Sequence, residues 1–281
     1  MSQVKIVTDS TADLPRELIE KYNITVVPLM VIFNNNEMFR DGVDIDNEEF
    51  YRRQVELKEH SRTSQPAPAE FLDIYRELSA SGSSIISIHL SAALSGTCQS
   101  ARMAAEMLPN ADIVVIDSKL ASMGLGMIAL EAARAADEGR DKNEILRTIR
   151  QMISEGMLYF IVDTLEYLAL GGRIGKARAL LGNILSIKPV LYLKDGIIYP
   201  LEKVRGRARA IDRLAQIISR KVGQRRVRCT LIHGMDPAGM QQLHQKIMPL
   251  LNCPEPVCST LGAVIGTHTG LGALGIGIFP E

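Results

Sequence analysis

The chain reads as an α/β protein in two parts: a mainly parallel sheet with helices on both faces over residues 1–155, and a second, smaller α+β domain over 156–281. Three observations carry this expectation. Short apolar runs alternate with helix-like stretches through the first part, the pattern that builds a parallel sheet. The pattern changes near residue 156, and Asp195–Gly196 between two apolar runs then marks a β-hairpin. A length of 281 residues, 46% of them hydrophobic, suits one large domain or two of ordinary size.

Element by element, QVKIVTDS (3–10) reads as a buried strand, and TADLPRELIEKYN (11–23) as a helix capped by Asp13 with Pro15 in its first turn. Pro28 and β-branched residues make ITVVPLMVIF (24–33) extended. NNNEMFRDG (34–42) is a turn-rich connection, and DNEEFYRRQVEL (46–57) a helix capped by Asp46 or Asn47. KEHSRTSQPAP (58–68) is a loop before a helix over 69–81. IISIHL (85–90) and ADIVVIDS (111–118) are strands, separated by a helix over 97–108. Helices follow over 120–138, rich in Ala, Gly and Met, and over 141–156. The second part expects a strand at 157–164, a short helix at 165–172, a helix at 174–185 and the hairpin at 188–202. An amphipathic helix over 207–222, a strand at 227–234, a helix at 237–251 and strands at 257–262 and 273–280 complete it.

Composition excludes several function classes. The 32 basic and 32 acidic residues cancel, which argues against nucleic-acid binding, and the absence of Trp leaves little for stacking bases. The apolar run 24–33 is too short to span a membrane. The first residues turn polar too early for a signal peptide. The four cysteines (Cys98, Cys229, Cys253, Cys258) show no CxxC spacing and read as reduced thiols of a cytoplasmic protein.

The stretch HLSAALSGTCQSA (89–101) carries the strongest site signal. Ser95, Gly96 and Thr97 follow a strand and open a helix, where free N–H groups and the dipole favour an anion. A single cap needs one hydroxyl and does not account for the run. Thr63, in RTSQP (62–66), offers a second hydroxyl, although alone the segment is only a loop. Asp9 and Asp13 read as helix-capping residues rather than metal ligands. GLGMIA (124–129) and GLGALG (270–275) match glycine fingerprints outside any strand-to-helix turn and are not dinucleotide sites. His268 is the one histidine in a glycine-rich polar loop, a weak signal by itself. Lys203, Arg205, Arg207 and Arg209 gather around a helix start, with Arg173 and Lys176 elsewhere. Positive charge there is electrostatically disfavoured and hints at an anionic partner.

DSTADLP (9–15), RTSQP, LSGTCQSA (94–101), VIDS (115–118), LGGRI (170–174), KVRGRARA (203–210) and GTHTG (266–270), in this order, resemble the DegV family of bacterial lipid-binding proteins along the whole chain. The resemblance implies two α/β domains that hold a long-chain fatty acid between and within them. It implies no cofactor beyond that ligand, no intrinsic catalysis, and a separate fatty acid kinase as partner, which converts the bound carboxyl group to an acyl phosphate. It further implies no membrane span and at most a transient contact with a membrane surface. By resemblance, Thr63 and Ser95 bond the carboxylate, the Gly96 and Thr97 backbone completes the cradle, and His268 stands beside it. Arg173 and Arg205 face the kinase or the phosphate. Departures from the family pattern at Ala92 and Cys98 bear on acyl-chain preference, and Leu170 on kinase docking. Met123, Gly124, Gly126, Met127 and Ala129 offer small and adaptable walls for a tunnel, or equally close helix–sheet packing. Two other readings are a hydrolase or phosphoryl-transfer enzyme using Ser95 with His268, and a lipid-sensing adaptor. No GxSxG elbow supports the first.

Overall fold

A computed structural model describes residues 3–34, 36–56, 60–181 and 187–281. Strands β1 (Val4–Asp9), β2 (Thr25–Val27), β6 (Ser84–His89) and β7 (Ile113–Asp117) form an all-parallel sheet in the order β2-β1-β6-β7. Its interior strand β6 is buried along its whole length because both faces are covered. Helices α3 (Pro68–Ser79) and α4 (Thr97–Glu106) pack on one face, through Phe71, Tyr75 and Ala101 against Val7 and Ile85. Helix α5 (Met123–Asp137) covers the other face, backed by α6 (Lys142–Glu155). Asp141 begins α6 in a capping box with Glu144, as an Asp three residues before Glu allows.

Residues 157–280 supply a six-stranded sheet. Its strands are β8 (Met157–Ile161), β9 (Ile187–Lys194), β10 (Ile197–Arg205), β11 (Val227–His233), β12 (Val257–Thr260) and β13 (Leu274–Pro280), in the order β10-β9-β8-β13-β11-β12. Only β11 and β12 pair in parallel. Asp195 and Gly196, with φ of 50° and 80°, make the tight turn between β9 and β10 that the sequence announces. Amphipathic α8 (Arg207–Val222) and α9 (Pro237–Ile247) bury Ile211, Leu214 and Leu243 on one face of this sheet. The opposite face turns toward α5, which is buried against both sheets. Gly126 makes that possible: a Cβ there would meet the Ala12 carbonyl at 2.4 Å. The small residues of α5 therefore serve close packing, and neither they nor the two methionines wall a tunnel.

Several local expectations need correction. Asp13 does not cap α1: that helix spans Arg16–Lys21 after Pro15, and Asp13 sits in the left-handed region with φ 51°. The expected connection at 34–42 contains β4 (Met38–Arg40), and the expected loop at 58–68 contains β5 (Arg62–Ser64). Both pair antiparallel with β3 (Met30–Ile32) in a small sheet. Three-residue strands carry too little periodicity to be seen in sequence. The helix α2 (Asn47–Glu56) begins at Asp46, whose carboxylate accepts from the Glu49 N–H at 2.8 Å. A 3-10 helix spans Gly175–Leu180 where an α-helix was expected over 174–185, and residues 182–185 of that expectation lie outside the described residues. His268 is not in a loop but in α10 (Ala263–Thr269), which follows β12.

Candidate functional site: an apolar cavity with a polar cluster

Over one face of the six-stranded sheet lies a cavity of about 360 Å³, within the range of small-molecule sites. Its walls come from one face of the six-stranded sheet: Leu158 and Phe160 on β8, Leu193 on β9, Ile198 on β10 and Ile232 on β11. Leu90 joins them from the end of β6. The space exists because β13 is built on alternation. Leu274, Ile276 and Ile278 belong to the core beneath α8 and α9, while Gly275 lines the cavity and Gly277 packs against Thr230 and Phe279 on the same face. Of the glycine pattern that mimics a nucleotide fingerprint only Gly275 lies on this strand; Gly270 and Gly272 precede it, with φ of 72° and 78°.

Polar groups gather at one end. Thr63 on β5, His268 on α10, Arg173 after α7 (Glu166–Leu170) and Ser95 before α4 all line the cavity there. The Thr63 hydroxyl meets His268 Nε2 at 3.0 Å. Ser95 and Thr97 share a hydroxyl hydrogen bond of 2.9 Å, and the Thr97 N–H donates to Ser95 Oγ at 3.3 Å. Arg173 donates from Nε to the Leu94 carbonyl at 3.0 Å and from Nη1 to the Gly171 carbonyl at 2.7 Å. This fixes its guanidinium with part of its five-donor fork left for an anion. Burial, with help from the Arg173 charge, pushes the His268 imidazole down to about 4. It is therefore a neutral hydrogen-bonding group at pH 7.

The remaining expected site residues fall elsewhere. Thr97 is sealed and does not line the cavity. Gly96 also stands outside the wall. A Cβ there would strike the Gln65 side chain, whose amide donates to Ser100 Oγ at 2.9 Å. Arg205 is exposed at the end of β10, outside the cavity wall. Ala92 is exposed and Cys98 buried within α4, and neither lines the cavity. Nor does the helix-start arginine need an external anion, since Arg207 pairs with Asp163 at 2.8 Å and with Asp236. Ser95 and His268 each bond to a different threonine, so the pairing that a nucleophilic serine requires is not formed. Among the described residues no group of three or more His, Cys, Asp or Glu could hold a metal ion, and no helix is long and apolar enough to cross a membrane.

Sequence reading missed what holds α10 in place. Its first N–H groups are taken by buried carboxylates. Gly262 N donates to Asp13 Oδ1 at 2.9 Å, and Ala263 N to Asp41 Oδ1 at 3.0 Å. Ser122 also donates to Asp13, and Ser259 to the Asp13 carbonyl. Asp13 therefore anchors the helix that presents His268. The spacing of Asp13 from a proline suggested a cap, and nothing local shows that its partners are 109 and 249 residues away. Burial raises Asp13 well above the usual carboxylate range and pushes Asp41 up to about 6.

These shifts predict opposite pH dependences. Folded Asp41 keeps its proton up to about pH 6, whereas the unfolded group releases it near 3.8. The folded state binds more protons in that window, so Asp41 makes stability fall as pH rises through it, by roughly 3 kcal/mol. His268, down at about 4 from 6.5, makes stability rise with pH between those values. Urea melts from pH 4 to 7 should show Asp41→Asn gaining on the unsubstituted protein as pH rises, and His268→Gln losing on it. Parallel curves for both variants would refute the assignment.

The arrangement defines a class: an α/β protein with a largely apolar cavity that carries neutral hydroxyls, an imidazole and one guanidinium. The DegV family pattern matches residues 3–281, and the chain belongs to that family. It is 37% identical over 279 residues to Protein DegV of Bacillus subtilis, covering 97% of this chain and 98% of that one. Its fold superimposes on a DegV family protein from Thermus thermophilus, described by its fatty acid binding, with TM-score 0.93, 34% identity and coverage of 99% and 100%. Bacillus subtilis DegV, described as a fatty acid binding protein, superimposes with TM-score 0.88 at 34% identity over the full length of both chains. A stearic acid-binding protein from Eubacterium ventriosum superimposes with TM-score 0.89 at 27% identity, covering 100% of this chain and 98% of that one.

Proposed function

We propose that this chain binds a long-chain fatty acid, with the tail in the cavity and the carboxylate at the Thr63–Ser95–Arg173–His268 end. The observation that carries the reading is an apolar wall drawn mainly from one face of the six-stranded sheet, met by Thr63, Ser95, Arg173 and His268 in the same cavity. Each buried methylene contributes about 0.8 kcal/mol, so a tail of about 15 methylenes contributes roughly 12 kcal/mol gross. Hydrogen bonds to a charged carboxylate contribute roughly 1.5–3 kcal/mol each. The tail therefore carries affinity and the polar end sets orientation. The ligand lies at the seam of the two proposed domains, 1–155 and 156–281.

The chain is a carrier rather than an enzyme in this reading. It presents the carboxylate to a separate fatty acid kinase for acyl phosphate formation, with Arg173 at the mouth and exposed Arg205 facing the kinase. A cytoplasmic location suits that partnership. The alternative of a lipid-sensing adaptor shares the binding step and differs only in supporting no acyl phosphate formation with any kinase.

Native mass spectrometry with solvent extraction should find a stoichiometric fatty acid in the purified protein. Thr63→Ala and Ser95→Ala should each weaken retention about tenfold, the loss of one charged hydrogen bond, with unchanged melting temperature. Full occupancy in both variants would refute the carboxylate placement. A protein that is empty and cannot be loaded would refute the function.

A further inference from the structure

Outside the cavity, two cysteines far apart in sequence are brought side by side. Cys229 lies on β11 and is 2% exposed. Cys253, half-buried, lies in the segment joining α9 to β12 and packs against the core that contains Cys229. Backbone contacts fix the approach: the Val227 N–H donates to the Asn252 carbonyl at 3.0 Å, and Arg226 and Asn252 form a parallel bridge. Both side chains belong to the apolar cluster beneath α8 and α9. The pair is asymmetric. The neighbouring Cys229 thiol holds the Cys253 thiol below its usual range, while Cys253 and burial push Cys229 up. Cys98, by contrast, is sealed within α4, and Cys258 is exposed with its sulfur 3.9 Å from the Pro256 carbonyl.

We propose that Cys229 and Cys253 form a modification site, at which a small peroxide joins them in an intramolecular disulfide. Thiolates react faster than thiols, and accessibility selects the attacking sulfur, so Cys253 reacts first. Its thiolate attacks one peroxide oxygen. The O–O bond breaks, and the departing hydroxide takes a proton to leave as water, with Cys253 as sulfenic acid. The Cys229 sulfur then attacks the Cys253 sulfur. The S–O bond breaks, and the leaving hydroxide takes the Cys229 proton as a second water. The two sulfurs give up two electrons and the peroxide accepts them. The product ties the segment before β12 to β11 across the edge of the six-stranded sheet, on the side away from the cavity.

The test uses the reduced full-length protein and hydrogen peroxide. Denatured thiol titration should fall from four to two per chain, and dithiothreitol should restore four. Peptide mapping without reduction should show the Cys229 and Cys253 peptides linked. In Cys229→Ser, dimedone should label Cys253 as a trapped sulfenic acid, and in Cys253→Ser the thiol count should not fall. The linked peptides of the unsubstituted protein decide the matter even where a variant folds poorly. Four surviving thiols, a linkage through Cys258, or a dimedone-labelled Cys253 that persists in the unsubstituted protein would each overturn the proposal.

Discussion

Replacing Gly275 with leucine is expected to expel the ligand while leaving the protein folded. Gly275 pairs in register with Phe160 on one side and Ile232 on the other, and both neighbours line the cavity. A Cβ at Gly275 would meet Ile232 Cδ1 at 3.5 Å and Phe160 Cβ at 3.6 Å, ordinary contact distances. The backbone therefore accepts a side chain, and the chain beyond Cβ enters the space assigned to the tail. Displacing about four methylenes costs roughly 3 kcal/mol, a loss on the order of 100-fold in affinity. Extracted fatty acid should fall accordingly, and the melting temperature of the ligand-free protein should hold or rise. Gly277 provides the contrast. A Cβ there would lie 2.5 Å from Thr230 Oγ1, so even alanine strains the sheet. Undiminished fatty acid in Gly275→Leu would mean that the tail does not pass β13.

Asp9→Ala should cause the larger loss of stability, about 3–5 kcal/mol by urea unfolding, or on the order of 10 °C in melting temperature. Asp9 is sealed and satisfies four groups. His89 Nδ1 donates to it at 2.9 Å, Leu90 N at 3.1 Å and Thr11 N at 3.1 Å, and the Thr11 hydroxyl donates as well. The chain continues inward: Tyr75 donates to Ser87 at 2.7 Å, and Ser87 meets His89 Nε2 at 2.7 Å. Truncating Asp9 strands several buried donors at once, which costs far more than one exposed pair. Ser87, His89 and Asp9 are ordered like a hydrolytic triad, yet all three have 0% exposure, so they serve as internal bracing. Asp9→Asn keeps an acceptor and should lose less. A cost under 1 kcal/mol for Asp9→Ala would refute the bracing role.

What was legible in the sequence follows from where the physical signal is local. Helix α8 was bounded to the residue because its amphipathic run ends between Gly206 and Gly223. The hairpin was legible because Asp195–Gly196 adopts positive φ cheaply. The hydroxyl cluster before α4 was legible because small polar residues at a strand end have few other uses. By contrast, β5 carries Thr63 yet has three residues and an edge-like composition. The anchoring of α10 depends on Asp13 and Asp41, whose partners are 249 and 222 residues distant. The wall of the cavity was invisible for a different reason: LGIGIFP reads as a strand, but only the register of its neighbours shows that Gly275 leaves space between Phe160 and Ile232.

The position of β13 has a consequence for how the molecule is made. It lies between β8 and β11, at the middle of its sheet, although it holds residues 274–280. While the chain is being synthesised, the parallel sheet and its helices can assemble early from nearby segments. β8 and β11 must then wait, each with an open edge, until residue 280 leaves the ribosome. Pairings this distant in sequence form slowly, and open edges are exposed to wrong partners meanwhile. The cavity wall is complete only when this strand pairs with β8 and β11, so the cavity forms after segments more than 100 residues apart have met.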